Sequence, residues 1–346
     1  MKKRLFYIVS AVWLCSACQS EKAEDVISAD GAPVYLSASV ETSVDSRVPY
    51  LSSPNPTPGE VLHAAVWATT EDAYIGRGLN GKNSGNQVDI HGSADFNDGQ
   101  PKLLNDAVYP QPEGNETIPV DFIGLHPKEG WSTQGNEGKI AEFTFDGSDD
   151  VMFAPEETGN YAKDNTENIL DLRFKHLLTW LKFKIKAEND NVAKSWGKVL
   201  EMKISSGNKV SIDLMEEYSF ESCVEFSGGN GYLSLYKVDS DEVFPATNGF
   251  ELTHTGNFRE EAYVLCEPVL ATAENLADYT LYIKSERREV SLPIDLKRNN
   301  TTFFEGSTRA KHFTLNLTFM VGSAVMIQAE ATDWLWGSSL DKDVDF

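Results

Sequence analysis

Cysteine is scarce in this chain: there are four, and two of them fall within the first 18 residues. The other two, Cys223 and Cys266, lie far apart with neither CxxC nor Cys/His spacing, which excludes a zinc module. They stand either as two buried thiols or as one disulfide, which an oxidising compartment permits. Gly-rich phosphate loops, HExxH, GxSxG and EF-hand patterns are missing, and nothing marks a pair of carboxylates for glycoside hydrolysis. The sequence therefore offers no catalytic, cofactor-binding or metal-binding residue set, and the expectation is a protein that is not an enzyme. Basic charge is also short, with 30 Lys and Arg against 53 Asp and Glu and a net charge of -23. Phosphate binding needs a basic stripe, so nucleic acid is excluded as a partner. Beyond the N-terminus no apolar run approaches the roughly 20 residues that span a bilayer as a helix.

What is present begins with a targeting segment. "MKKR" is a positive n-region, "LFYIVSAVWL" a short apolar stretch, and small Ser16 and Ala17 stand immediately before Cys18. The spacing resembles a bacterial lipoprotein signal, in which Cys18 is diacylated and becomes the new N-terminus. Residues 1–17 are then a signal peptide and 18–32 a linker after the lipid anchor; with an ordinary secretory signal as the alternative, the mature chain is anchored to a membrane or released, without spanning it.

The rest of the chain reads as all β. Val34, Leu36, Ala38 and Val40 fall on one side of a period-2 pattern that predicts a half-buried strand. Further strands are expected in "VLHAAVWATT", "AYIG", "TIPVDFIGLH", "KIAEFTFD" and "VMFAP", with long polar loops over residues 76–101 and 155–168. A change of texture near residue 166 places a division there, giving an N-terminal domain over 33–165 and a C-terminal domain over 166–346. In the second half, "YTLYIK" and "REVSLPIDL" flank a hairpin turn at "SER", and Phe313, Leu315, Leu317 and Phe319 make the clearest strand. Strands with one apolar face must bury it against another sheet, which predicts two antiparallel β-sandwiches in tandem.

One segment breaks the rhythm. In "NILDLRFKHLLTWLKFKI" the apolar parity is even from Leu170 to His176 and odd from Leu181 onward. A single strand cannot do this, because a slip of one residue turns every side chain over. A bulge or bend at "HLLTW" is expected where the chain crosses between sheets, with His176 pointing inward and its ring nitrogens meeting backbone groups. Acidic clusters at 145–150, 237–242 and 340–346 read as solvated turns and a charged tail, with weak calcium binding as the alternative. Trp131, Trp196, Trp334 and Trp336 are candidates for a sugar-stacking platform or, alternatively, for core and edge covers.

Taken in order, these features resemble the fimbrillin family, the major, minor and Mfa-like lipoprotein pilin precursors. The residues that carry the likeness are the signal ending at Cys18, a first strand followed by Arg47, "VLHAAVWA" with Trp67, "FKHLLTWLKFKI", and a terminal aromatic "ATDWLWG". The resemblance implies two transthyretin-like sandwich domains, export as an outer-membrane lipoprotein, a fimbrial location, and cleavage by an arginine-specific protease at the Arg47–Val48 bond. Its partners would be other fimbrial subunits, alike or different, the processing protease, and host or bacterial surface ligands.

Elementary energetics points the same way. Burying Val34, Leu36 and Val40 is worth roughly 5–9 kcal/mol as an upper bound, comparable to the whole stability of a domain. Removing that strand would leave an apolar groove between unpaired sheet edges, a template for another strand. The candidate donor is the C-terminal run with Val325, Ile327, Ala329 and Ala331 on one face, which otherwise serves as the last strand of its own sheet. The expectation is a structural or accessory pilus subunit assembled by strand exchange after proteolysis; the alternative is a surface glycan-binding lipoprotein that is not polymerised.

Overall fold

The computed structural model describes residues 33–40, 62–69, 90–96, 102–108, 119–134, 140–160, 170–214, 223–229, 231–238, 240, 242–254, 259–271, 278–296 and 306–333. Cys18, Arg47, Val48, Trp334 and Trp336 lie outside them. The first half supplies β1 (Pro33–Val40), β2 (Leu62–Thr69), β3 (Ile90–Phe96), β4 (Lys102–Val108), β5 (Pro119–His126), β6 (Ser132–Gln134), β7 (Ile140–Thr144), β8 (Met152–Asn160) and β9 (Leu170–His176). The second supplies β10 (Thr179–Ala187), helix α1 (Asp190–Trp196), β11 (Val199–Ser206), β12 (Lys209–Asp213), β13 (Val224–Ser227), β14 (Gly231–Lys237), β15 (Val243–Phe244) and β16 (Arg259–Cys266). It ends with β17 (Leu270–Ala271), β18 (Asp278–Ser285), β19 (Glu289–Asp295), β20 (Gly306–Ser307), β21 (Lys311–Phe319) and β22 (Val325–Asp333). The all-β class read from the sequence is the one found.

Two large sheets organise these strands. The seven-stranded sheet runs β3-β2-β5-β8-β9-β1-β4, and the other main path runs β19-β18-β11-β14-β16-β10-β21-β22. Both curl until their end strands approach one another, β3 beside β4 and β19 beside β22. Pairing is mostly antiparallel, but β1 runs parallel to β9 and β10 parallel to β21, so the sheets are mixed. A period-2 pattern fixes which face is buried and is silent on strand direction, which depends on long crossovers.

The corner at residues 176–179 is where the parity slip placed it. β9 closes the first sheet at His176, Leu177 and Leu178 turn the chain with both side chains buried, and β10 opens in the second sheet. The change of sheet thus falls at 177–178, beyond the texture change near 166, because β9 completes the first sheet. A four-stranded sheet, β13-β12-β7-β6, also laces residues 132–134 and 140–144 to 209–213 and 224–227. Lys209 reaches Glu142 across it at 2.7 Å.

Two expected loops contain strands. β3 lies inside the stretch 76–101 and β4 follows it; they are the edges of their sheet, and edge strands carry a weak apolar signal. β8 likewise continues through Pro155 to Asn160. The helix α1 leaves little periodic signal because it is only seven residues long: Asn189 caps it by accepting from the Val192 N–H at 3.0 Å, and Val192 and Trp196 bury one face.

Candidate functional site

β1 is an interior strand held on both sides. Leu36 through Val40 pair with Leu170 through Phe174 of β9, while Tyr35 and Leu36 pair with Leu103 and Lys102 of β4. Its apolar face enters the core: Val34 and Leu36 are fully buried, Ala38 is half-buried, and Leu172 and Phe174 of β9 are fully buried in the same cluster. Gly124 of β5 makes room for this packing, since a Cβ there would collide with the Phe174 ring. The side chain of Val40 lies outside the described residues. Both ladder edges of β1 are therefore occupied, and its departure would unpair β9 and β4 together.

β22 occupies the opposite kind of position. It is an end strand, paired antiparallel with β21 over its full length, Lys311 against Asp333 through Phe319 against Val325. Val325 is half-buried and Ile327 and Ala329 are buried over Leu317 and Leu315, while Met326 and Gln328 face outward. The Ala331 side chain lies outside the described residues. In this structure β22 is the last strand of its own sheet, which was one of its two expected fates.

His176 points inward as expected, but its partner differs. The Nδ1 atom lies 3.0 Å from Asp150 Oδ1, with the two side chains 1% and 2% exposed. A carboxylate takes the place of the expected backbone groups because the 145–150 turn folds back onto the corner. Leu177 N–H donates to Val151 O there at 2.9 Å.

A second histidine is set by burial. His312 stacks on Trp180, with ring centroids 4.4 Å apart, and Lys182 Nζ sits 4.2 Å from the same indole centroid. Burial first, then the positive charges of Lys182 and Lys184, push His312 down to about 3. A base whose folded value lies below its unfolded value of 6.5 costs nothing above that pH. Stability is withdrawn as pH falls from 6.5 toward 3, because the unfolded chain takes the proton first. Between pH 7 and pH 4 the wild type should lose about 3 kcal/mol more stability than His312→Phe, as read by urea unfolding at each pH. Parallel slopes for the two proteins would remove His312 from the acid response.

Among the described residues the remaining candidates do not assemble into a site. Trp196 is fully buried, donates to Met320 O at 3.0 Å and meets Phe319 edge to face. Trp131 donates to Pro127 O at 2.8 Å and packs on Phe143. Neither is a free stacking surface, so the tryptophan platform is not formed among the described residues. In the 145–150 turn, Asp146 accepts from Ser148 and Asp150 faces His176. Among the described residues no group of three or more His, Cys, Asp or Glu side chains could hold a metal ion. Cys223 and Cys266 are buried and stand outside any disulfide, and burial pushes the Cys266 thiol well up.

No family model matches this sequence, and neither does any curated protein. Solved structures are similar over most of the chain at low identity. A candidate cell adhesion protein of Bacteroides uniformis is 15% identical, covering 87% of this chain and 98% of that one at a TM-score of 0.48. A fimbrial protein of Bacteroides vulgatus is 13% identical, covering 87% and 99% at 0.38. The fimbrial anchor protein Mfa2 of Porphyromonas gingivalis is 12% identical, covering 88% and 98% at 0.39.

Proposed function

We propose that this chain is a fimbrial subunit of the cell surface, exported as a lipoprotein through Cys18 and assembled by strand exchange after cleavage at Arg47–Val48. The observation that carries this reading is the placement of β1. It is a short N-terminal strand held in the interior of a sheet, buried through Val34 and Leu36, and followed seven residues after Val40 by Arg47. A cut at that arginine severs β1 from everything after it without breaking any other described strand.

The occupant of the vacated slot is a strand from another subunit. β1 presents Val34, Leu36 and Ala38 at alternate positions; β22 presents Val325, Ile327 and Ala329 in the same chain direction and the same order of size. A second copy's β22 would therefore fill the slot running parallel to β9 and antiparallel to β4, as β1 does. Main-chain ladders would supply affinity and the alternate side chains register. Donation requires β22 to leave β21, and β21 would then need a replacement of its own.

The test is assembly on demand. Purified precursor treated with an arginine-specific protease should form high-molecular-weight species by light scattering, and Arg47→Ala should stay monomeric. Deleting residues 325–346 should abolish assembly while leaving a folded monomer. A cleaved wild type that remains monomeric, or an Arg47→Ala protein that polymerises equally, would discard the proposal.

A further inference from the structure

The outward face of β14, β11, β18 and β19 carries a feature that strand exchange does not use. Cross-strand pairing aligns Ser234, Lys203, Tyr282 and Ser291 in one row, and Tyr232 sits opposite Ser205 in the next. Tyr232 is 51% exposed, and its ring centroid lies 6.0 Å from that of Tyr282 with the planes tilted by 58°. Apolar partners of these strands, Leu233, Leu281 and Ile283, face the core, so the two tyrosines stand on the parity that alternation reserves for polar residues. Tyr236 shares that parity but is covered, with its hydroxyl directed at Asp146.

The charges in the Tyr282 row and in the row beyond it cancel, while Asp278 and Asp295 stand opposite each other past the Tyr232 row. Glu201 and Lys203 form an ion pair at 2.5 Å, and Lys284 stands directly opposite Glu289. A locally neutral face on a chain of net charge -23 does not select a cationic partner and does not repel an uncharged one. What the face offers is one open aromatic ring, a second ring whose hydroxyl is held by Glu289, and the hydroxyls of Ser234 and Ser291. A protein partner would need a wide apolar centre, which two tyrosines among serines do not provide. A pyranose needs little more than a ring to lie on and polar groups to meet its hydroxyls.

We infer that the Tyr232–Tyr282 face binds an uncharged oligosaccharide. The inference does not depend on cleavage or polymerisation and is tested on the monomeric precursor. Cellohexaose, xylohexaose, mannohexaose and maltohexaose are titrated by calorimetry, with a hexamer of galacturonate as the charged comparison. At least one neutral hexasaccharide should bind, and Tyr232→Ala should weaken it by about tenfold or more with the unfolding midpoint unchanged. Ser234→Arg, which puts bulk and charge beside the rings, should weaken the same ligand. Failure of all four neutral sugars, binding untouched by Tyr232→Ala, or a response to the galacturonate alone would overturn the assignment. So would self-association of the precursor that Tyr232→Ala abolishes, since the face would then be a protein contact.

Discussion

A chain beginning at Val48 should unfold at a much lower urea concentration than the same chain carrying residues 19–47, and an excess of a peptide spanning residues 33–41 should restore most of the loss. Val34 and Leu36 are fully buried, so their removal alone withdraws about 3–6 kcal/mol. Ladder hydrogen bonds to β9 and β4 add about 1 kcal/mol apiece. Domains hold about 5–15 kcal/mol in total, so the truncated monomer should be marginal. A peptide of residues 325–333 should rescue it as well, because its valine, isoleucine and alanine repeat the order of the strand it replaces. Equal midpoints for the two chains would mean that β1 merely lies against the sheet. Rescue by 33–41 but not by 325–333 would keep the slot and reject β22 as its occupant.

Breaking the His176–Asp150 pair should cost nearly as much. Both side chains are almost wholly removed from water, so His176→Ala or Asp150→Ala leaves the other group buried without its partner. Such losses run to about 3–5 kcal/mol. The double replacement should cost far less than the two single changes added together, because it leaves nothing uncompensated. Urea unfolding of the four proteins in the cycle reads this directly. Additive single effects would show that the two groups do not depend on each other. The pair sits where the chain leaves β9 for β10, so it also fixes the wall against which β1 packs.

How far the sequence foretold these sites follows from what alternation encodes. β21 was legible because Phe313, Leu315, Leu317 and Phe319 all face one way, and all four are fully buried. The corner was legible because a parity slip has no other physical remedy. Its partner residue was not: Asp150 lies 26 positions from His176, and only the folded turn brings it there. β3 and β4 were missed because their sequences, rich in Gly, Ser, Asn and Asp, carry no clear apolar alternation, and the parallel course of β1 along β9 was hidden because direction leaves no local mark. The tryptophans drew attention by residue type, yet Trp196 belongs to the buried face of a helix. Tyr232 and Tyr282 carried the better signal, aromatic rings on the polar parity of "GYLSLYK" and "YTLYIK", but their adjacency across β11 needs the sheet order.

The central claim is that the first strand is a removable insert. The mass and first residue of the mature protein, recovered from native cell surfaces, test it most directly. A chain starting at Val48 and found in high-molecular-weight fibres is the predicted result. A chain starting at acylated Cys18 and never found in a polymer would contradict it.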